Sequence, residues 1–237
     1  IDPAGTSMRV RVGGSHIQKP VRIGPDHLAR GMVIELSAQV VVLLHDSVED
    51  VDSPSDEMGL VGASDAIVRV RRHARRVAEG DAPVLVRGET GTGKELAARA
   101  IHRLSSRRQR PYLCVNMAAI PATLAASELF GHVRGAFSGA ASASQGYFGR
   151  ADGGVLFLDE VADTPIDVQA ALLRVLETGE VQQIGAERLR KVDVRLVAAT
   201  DADLETAVDG GSFRAPLLYR LANHEVALPP LRDRRDD

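Results

Sequence analysis

Apolar positions along the chain follow two rhythms. Residues 84–86, 112–115, 155–158, 192–200 and 225–228 are short apolar runs rich in β-branched side chains, and each predicts a buried strand. Between them, residues 66–79 carry Ile67, Val70, Ala74 and Val77 at helical spacing. The segment opened by Lys94 repeats that spacing with Leu96, Ala97, Ala100, Ile101 and Leu104. A third segment starts at Thr164–Pro165 and lines up Val168, Leu172, Val175 and Leu176. Strands alternating with helices predict an α/β fold with a mostly parallel five-stranded sheet flanked by helices. Because the strands run into polar residues at one end, a ligand site is expected at their carboxyl edge.

The N-terminal quarter has a different pattern. Residues 32–36 and 40–44 are apolar runs either side of a short break, predicting a β-hairpin inside a small β fragment that occupies 1–45. The opening IDPAGTS, before Met8, reads as a leftover from expression. Residues 46–57 (DSVEDVDSPSDE) are acidic, rich in Ser and broken by Pro54; they predict a linker, with an acidic lure for a basic partner as the alternative. The main domain then runs from 58 to 237.

Composition changes little. At 237 residues, 44% hydrophobic and 26% charged, the chain fits one good-sized domain plus a smaller piece. A net charge of −3 gives the whole chain no electrostatic case for nucleic acid. The arginines at 69, 71, 72, 75 and 76 are expected to form a solvated helix face rather than a nucleic-acid patch. The single Cys114 excludes an internal disulfide, suits a reducing compartment, and in the run YLCV is expected in the core. No apolar run reaches the roughly 18–20 residues of a membrane span and no signal peptide is visible, so a cytoplasmic protein without membrane partners is expected.

Chemistry concentrates in three stretches. In PVLVRGETGTGKE a strand, a glycine loop and a helix follow in the order that a phosphate-binding loop needs. The residues are Gly88, Glu89, Thr90, Gly91, Thr92, Gly93, Lys94 and Glu95. Bare N–H groups and the helix's positive end would cradle nucleotide phosphates, with Lys94 as a point charge. Glu95 stands where a Ser or Thr usually touches Mg²⁺, and a helix-capping glycine turn is the competing reading. The second stretch, VLFLDE, ends a buried run on Asp159 and Glu160. Two carboxylates there are costly unless used. Asp159 is placed to hold Mg²⁺ and Glu160 to deprotonate an attacking water; the alternative is a helix cap. The third is a glycine-rich segment around Phe137, in a chain only 3% aromatic.

Together, GETGTGKE (88–95), ELFGHVRGAFSGA (128–140), GGVLFLDE (153–160), RLVAAT (195–200), and FRAPLLYRL with LPPLRDR resemble the central AAA+ ATPase domain of bacterial sigma-54 activators, the enhancer-binding proteins. The resemblance implies a P-loop AAA+ core, with ATP and Mg²⁺ as cofactors. It makes Glu95 normal after the loop lysine, and assigns Val61 and Gly62 to lining the adenine. Asp159 and Glu160 become the metal and water-activating pair, and Asn116 the residue that holds Glu160 until the ring is ready. Thr200 closes the strand before Asp201, at the position that senses the γ-phosphate, where Asn is common. Arg214 and Arg220 would reach the neighbouring subunit's site in a homo-oligomeric ring, expected to be a hexamer. Ala215 and Pro216 replace the usual acidic pair between them.

Gly135, Ala136, Phe137, Ser138, Gly139 and Ala140 resemble the mobile loop that touches sigma-54, with Ser138 where Thr is usual. A Phe pinned into the core beneath a turn is the alternative. The resemblance further implies a helical lid and a DNA-binding domain after Asp237, neither of them in this sequence, so DNA contact is assigned outside it. The N-terminal fragment resembles the last strands of a forkhead-associated domain. The expected function is an ATP-hydrolysing transcription activator that remodels the sigma-54 polymerase complex. A nucleotide-binding scaffold with weak or no hydrolysis and another AAA+ remodelling ATPase are the alternatives.

Overall fold

A computed structural model describes residues 10–24, 27, 32–36, 40–44, 59–234 and 237. The 46–57 linker and the opening IDPAGTS lie outside the described residues. The chain divides into two compact units, 1–53 and 54–237. In the first, β1 (Val10–Val12), β2 (Ser15–His16), β3 (Met32–Leu36) and β4 (Val40–Leu44) form an antiparallel sheet in the order β2-β1-β3-β4. The expected hairpin is present as β3 and β4, with Met32 opposite Leu44.

In the second unit, β5 (Val84–Arg87), β6 (Tyr112–Asn116), β7 (Val155–Asp159), β10 (Arg195–Thr200) and β11 (His224–Ala227) form a five-stranded sheet ordered β11-β5-β10-β7-β6, every neighbouring pair parallel. The expected 192–200 strand is shortened to Arg195–Thr200. Leu189–Lys191 is a separate strand, β9, paired antiparallel with β8 (Glu180–Gln182), and only from Arg195 does the chain enter the main sheet. Val192 leaves the sheet because its N–H is taken by the Gly179 carbonyl.

Alternate strand residues feed two cores, the period-2 consequence of pleating. On one face, Val84, Val86, Phe157, Val197 and Val226 pack with α1 (Asp65–Ala78) and α2 (Lys94–Leu104). On the other, Leu85, Leu156, Leu158 and Leu196 meet α3 (Ala122–Phe130), α4 (Gly146–Arg150), α5 (Ile166–Thr178) and α7 (Ala215–Leu221). A short helix, α6 (Leu204–Asp209), follows β10. Each fully buried aliphatic side chain stabilises this arrangement by about 1.5–3 kcal/mol.

Two expectations are corrected. Arg71 is not on the solvated face of α1. It is only 7% exposed and donates to the Leu60 and Gly62 carbonyls at 2.9 and 2.7 Å. It lies beside Val70 on the buried stripe, where the 60–62 segment offers carbonyls that need a donor. Cys114 is exposed rather than in the core: β6 is an edge strand, and although Cys114 shares a face with its register partner Phe157, it stands outside the cluster buried there.

Candidate functional site

The phosphate-binding loop joins β5 to α2 at the sheet's carboxyl edge. Gly93 caps α2 at φ +98°, a left-handed conformation that costs glycine little and other residues much. Thr92 closes the turn on Glu89, whose carbonyl accepts from the Thr92 hydroxyl at 2.7 Å. Lys94 is 7% exposed; its ammonium donates to the Gly88 carbonyl at 3.0 Å and stands 3.5 Å from a Glu160 carboxylate oxygen. Glu95 instead turns outward and pairs with Arg99 at 2.7 Å.

Asp159 ends β7, and its Oδ1 accepts from the Glu160 N–H at 3.1 Å. Glu160 has φ +50°, the one positive φ outside glycine among the described residues; such strain concentrates where a side chain must be aimed. Burial pushes its carboxyl above the ordinary range. Lys94 counters that, while Asp201 and Asp159 add to it. Among the described residues no group of three or more His, Cys, Asp or Glu is arranged to hold a metal. A single carboxylate with phosphate oxygens and water is, however, a common Mg²⁺ shell, and half-buried Asp159 fits that donor set.

Asp201 departs from an isolated acid facing the loop. The Thr90 hydroxyl donates to it at 2.7 Å, and this bond, with help from Lys94, holds its carboxyl below the usual range. Thr200 is buried, with its hydroxyl accepting from the Ala202 N–H at 3.0 Å. Asn116 sits in register with Asp159, but its side-chain oxygen accepts from the Ala118 N–H at 2.9 Å instead of reaching Glu160. Val61 is exposed and Gly62 follows it, with Arg71 donating to the carbonyls of Leu60 and Gly62 on either side of Val61. The Asp237 carboxylate accepts from the Ala63 and Ser64 N–H groups beside them.

Two arginines that sequence reasoning did not single out frame the loop. Arg232 pairs with Glu89 at 2.8 Å, and Arg234 donates to the Thr92 carbonyl at 2.8 Å. Their signal was the charge run after Pro229–Pro230, which periodicity cannot place. Arg214 and Arg220 lie at either end of α7, away from the loop, and donate to the Ile166 and Leu176 carbonyls of α5.

The 135–140 segment is a compact turn, with the Gly135 N–H on the Ala140 carbonyl at 2.9 Å. Phe137 is 41% exposed, so it is not pinned in the core. The feet of the turn meet where Gly131 and Gly146, both at positive φ, bring their backbones so close that a Cβ on either would collide with the other strand. Ile184 ties the region following β8 to these feet, accepting from Val133 and donating to Gly131.

A strand–loop–helix cradle, a buried lysine facing a strand-end acid pair, and a parallel sheet define the P-loop AAA+ class. The family profile described as "Sigma-54 interaction domain" matches residues 60–227, and the chain belongs to that family. It is 47% identical over 204 residues to the nitric oxide reductase transcription regulator NorR1 of Cupriavidus necator, covering 86% of this chain and 40% of that protein. It is 49% identical over 186 residues to the DNA-binding transcriptional regulator NtrC of Rhizobium meliloti, covering 78% of this chain and 38% of that protein. Among solved structures, NtrX from Brucella abortus in complex with ATP is similar at a TM-score of 0.70 with 39% identity, over 75% of this chain and 38% of that one. The P-loop NTPase domain of the sigma-54 transport activator from E. coli is similar at a TM-score of 0.50 with 21% identity, over 72% of this chain and 99% of that one, a likeness of fold. The chain thus spans roughly two fifths of the length of the NorR1 and NtrC relatives it matches.

Proposed function

We propose that this chain is the ATP-hydrolysing motor segment of a sigma-54-dependent transcription activator. The observation that carries the reading is the Lys94 ammonium 3.5 Å from Glu160 at the mouth of the glycine loop. Glu160 takes a proton from water, the water oxygen bonds to the γ-phosphorus, and the bond from that phosphorus to the bridging oxygen of ADP breaks. Lys94 and the loop N–H groups offset charge on the phosphates. Mg²⁺, held by Asp159 with the nucleotide's oxygens, would supply further charge neutralisation when bound.

Val61 and Gly62 line the adenine in this reading, and Thr200 backs the phosphate side of the site. Asn116 would release the Ala118 N–H to hold Glu160, and Arg214 and Arg220 would reach a neighbour's site in a ring of copies, a hexamer. Hydrolysis then changes how the 135–140 turn meets sigma-54, and DNA is contacted by another domain.

The test is capture of sigma-54 by the full-length protein with ADP and a metal-fluoride phosphate mimic. Phe137→Ala is expected to lower capture by about tenfold or more, since a buried aromatic anchor is worth at least 1–2 kcal/mol at an interface. Equal capture by both proteins, or none by wild type, would sink the reading.

The charge set makes a second prediction. A base works deprotonated, so activity is lost as pH falls through its pKa, and the raised Glu160 carboxyl places that loss above the ordinary carboxylate range. Asp201→Asn removes one of the charges holding Glu160 up and is expected to move the acid limb of the turnover profile to lower pH. An unmoved limb would show that Glu160 is not the titrating base.

A further inference from the structure

His132 lies one residue past Gly131, at the foot of the 135–140 turn, and its ring has three neighbours from separate parts of the chain. Nδ1 is 2.8 Å from the Ser127 hydroxyl on α3. Nε2 is 3.0 Å from the Ser142 carbonyl on the returning arm. The Phe137 ring packs edge-on at 5.0 Å between centroids. A carbonyl only accepts, so Nε2 carries a proton toward Ser142, and in the neutral ring Nδ1 accepts from Ser127.

The feet of the turn are secured mainly by backbone: His132 and Ser144 exchange both their N–H···O bonds, at 3.0 and 2.9 Å, and the Gln183 side chain donates to the Ser144 carbonyl at 2.7 Å. The bonds inside the tip, Gly135 to Ala140 and Ala140 to Phe137, are local: they shape the tip but do not tie it to the rest of the fold. Neither set determines the angle of the tip over α3. The His132 ring, which joins helix, returning arm and tip at one point, is a constraint on that angle, beside the close approach of Gly185 to Val133 and Ala136.

We infer that His132 is a positioning residue, a clasp that holds Phe137 against a ring tied to Ser127 of α3, so that presenting Phe137 to a partner requires breaking its contacts. The link to sigma-54 rests on the function proposed above; the clasp itself rests on these contacts.

Hydrogen exchange on the full-length protein tests it. The amides of residues 135, 136, 139, 140 and 141, all bonded within the turn, report its opening. His132→Ala, which removes the ring and both hydrogen bonds, is expected to speed their exchange by about 10- to 100-fold. His132→Phe keeps a ring for Phe137 but loses both polar bonds, and Ser127→Ala loses one; about tenfold or less is expected for each. Exchange in β7 and ATP turnover should stay at wild-type levels. The variants should also capture sigma-54 without the phosphate mimic, a readout that a purely structural role would not move.

Unchanged exchange at 135–141, acceleration spread evenly over residues 60–227, or faster local exchange with unaltered capture would each overturn the clasp. If wild type captures no sigma-54 under any condition, the partner reading fails, and exchange alone decides the clasp. Should His132→Ala fold poorly, Ser127→Ala carries the test, since it leaves the ring and its contact with Phe137 in place.

Discussion

Glu160→Gln is expected to lower ATP turnover by about 10²- to 10⁴-fold, the usual worth of a positioned base, while ATP affinity changes little. The substitution keeps the shape of the side chain and its place after β7, but gives up the charge and the basic oxygen. Glu160 faces Lys94 across 3.5 Å, so the loss also removes an attraction for that ammonium. Nucleotide binding by titration and single-turnover hydrolysis separate the two effects. Equal turnover in the variant and wild type would turn the protein into a nucleotide-gated scaffold. Lost binding with turnover reduced in proportion would make Glu160 a structural partner of Lys94.

Arg195→Leu should cost the 54–237 unit about 3 kcal/mol or more. The side chain is 1% exposed and donates to three backbone carbonyls, those of Val77, Ala78 and Ala82. Two of these belong to the last turn of α1, whose terminal carbonyls have no partner within the helix. Removing the guanidinium leaves buried acceptors unpaired, at about 1–3 kcal/mol each. Burial holds the Arg195 pKa below its ordinary value, and a guanidinium in a protein keeps its charge. For a unit of this size the loss corresponds to roughly 6–12 °C in the unfolding midpoint. A shift of under about 2 °C would mean that water or a neighbouring group replaces the donor.

The parts of the site written in continuous sequence were readable without coordinates. Residues 84–94 contain strand, glycine loop and lysine within a few positions, and 155–160 contain a strand that ends on its own two acids. Local chemistry of that kind survives any arrangement of the rest. The polar partners of the strand ends were another matter. Asn116 was expected to hold Glu160, yet its oxygen is nearer the Ala118 N–H, which needs an acceptor at the start of a short 3₁₀ turn (Met117–Ala119). Asp201 reads as an unpaired acid until the fold brings Thr90 to it. Arg71 reads as one more surface arginine until the chain at 60–62 crosses its end.

By itself, then, the sequence determined the order of strands and helices, the phosphate-binding loop, the strand-end carboxylates and the glycine-bounded Phe137, because each depends on spacing within about a dozen residues. Tertiary structure decided which charges are met. Thr90 and Asp201 are 111 positions apart, Arg195 and Ala78 are 117, and no periodicity spans such distances. The sheet order brings β5 beside β10 and thereby sets the loop against Asp201. Closing the chain on itself also turns His132 from one residue of a motif into the point where a helix, a returning arm and an aromatic tip meet, since only packing can bring three such segments to one ring.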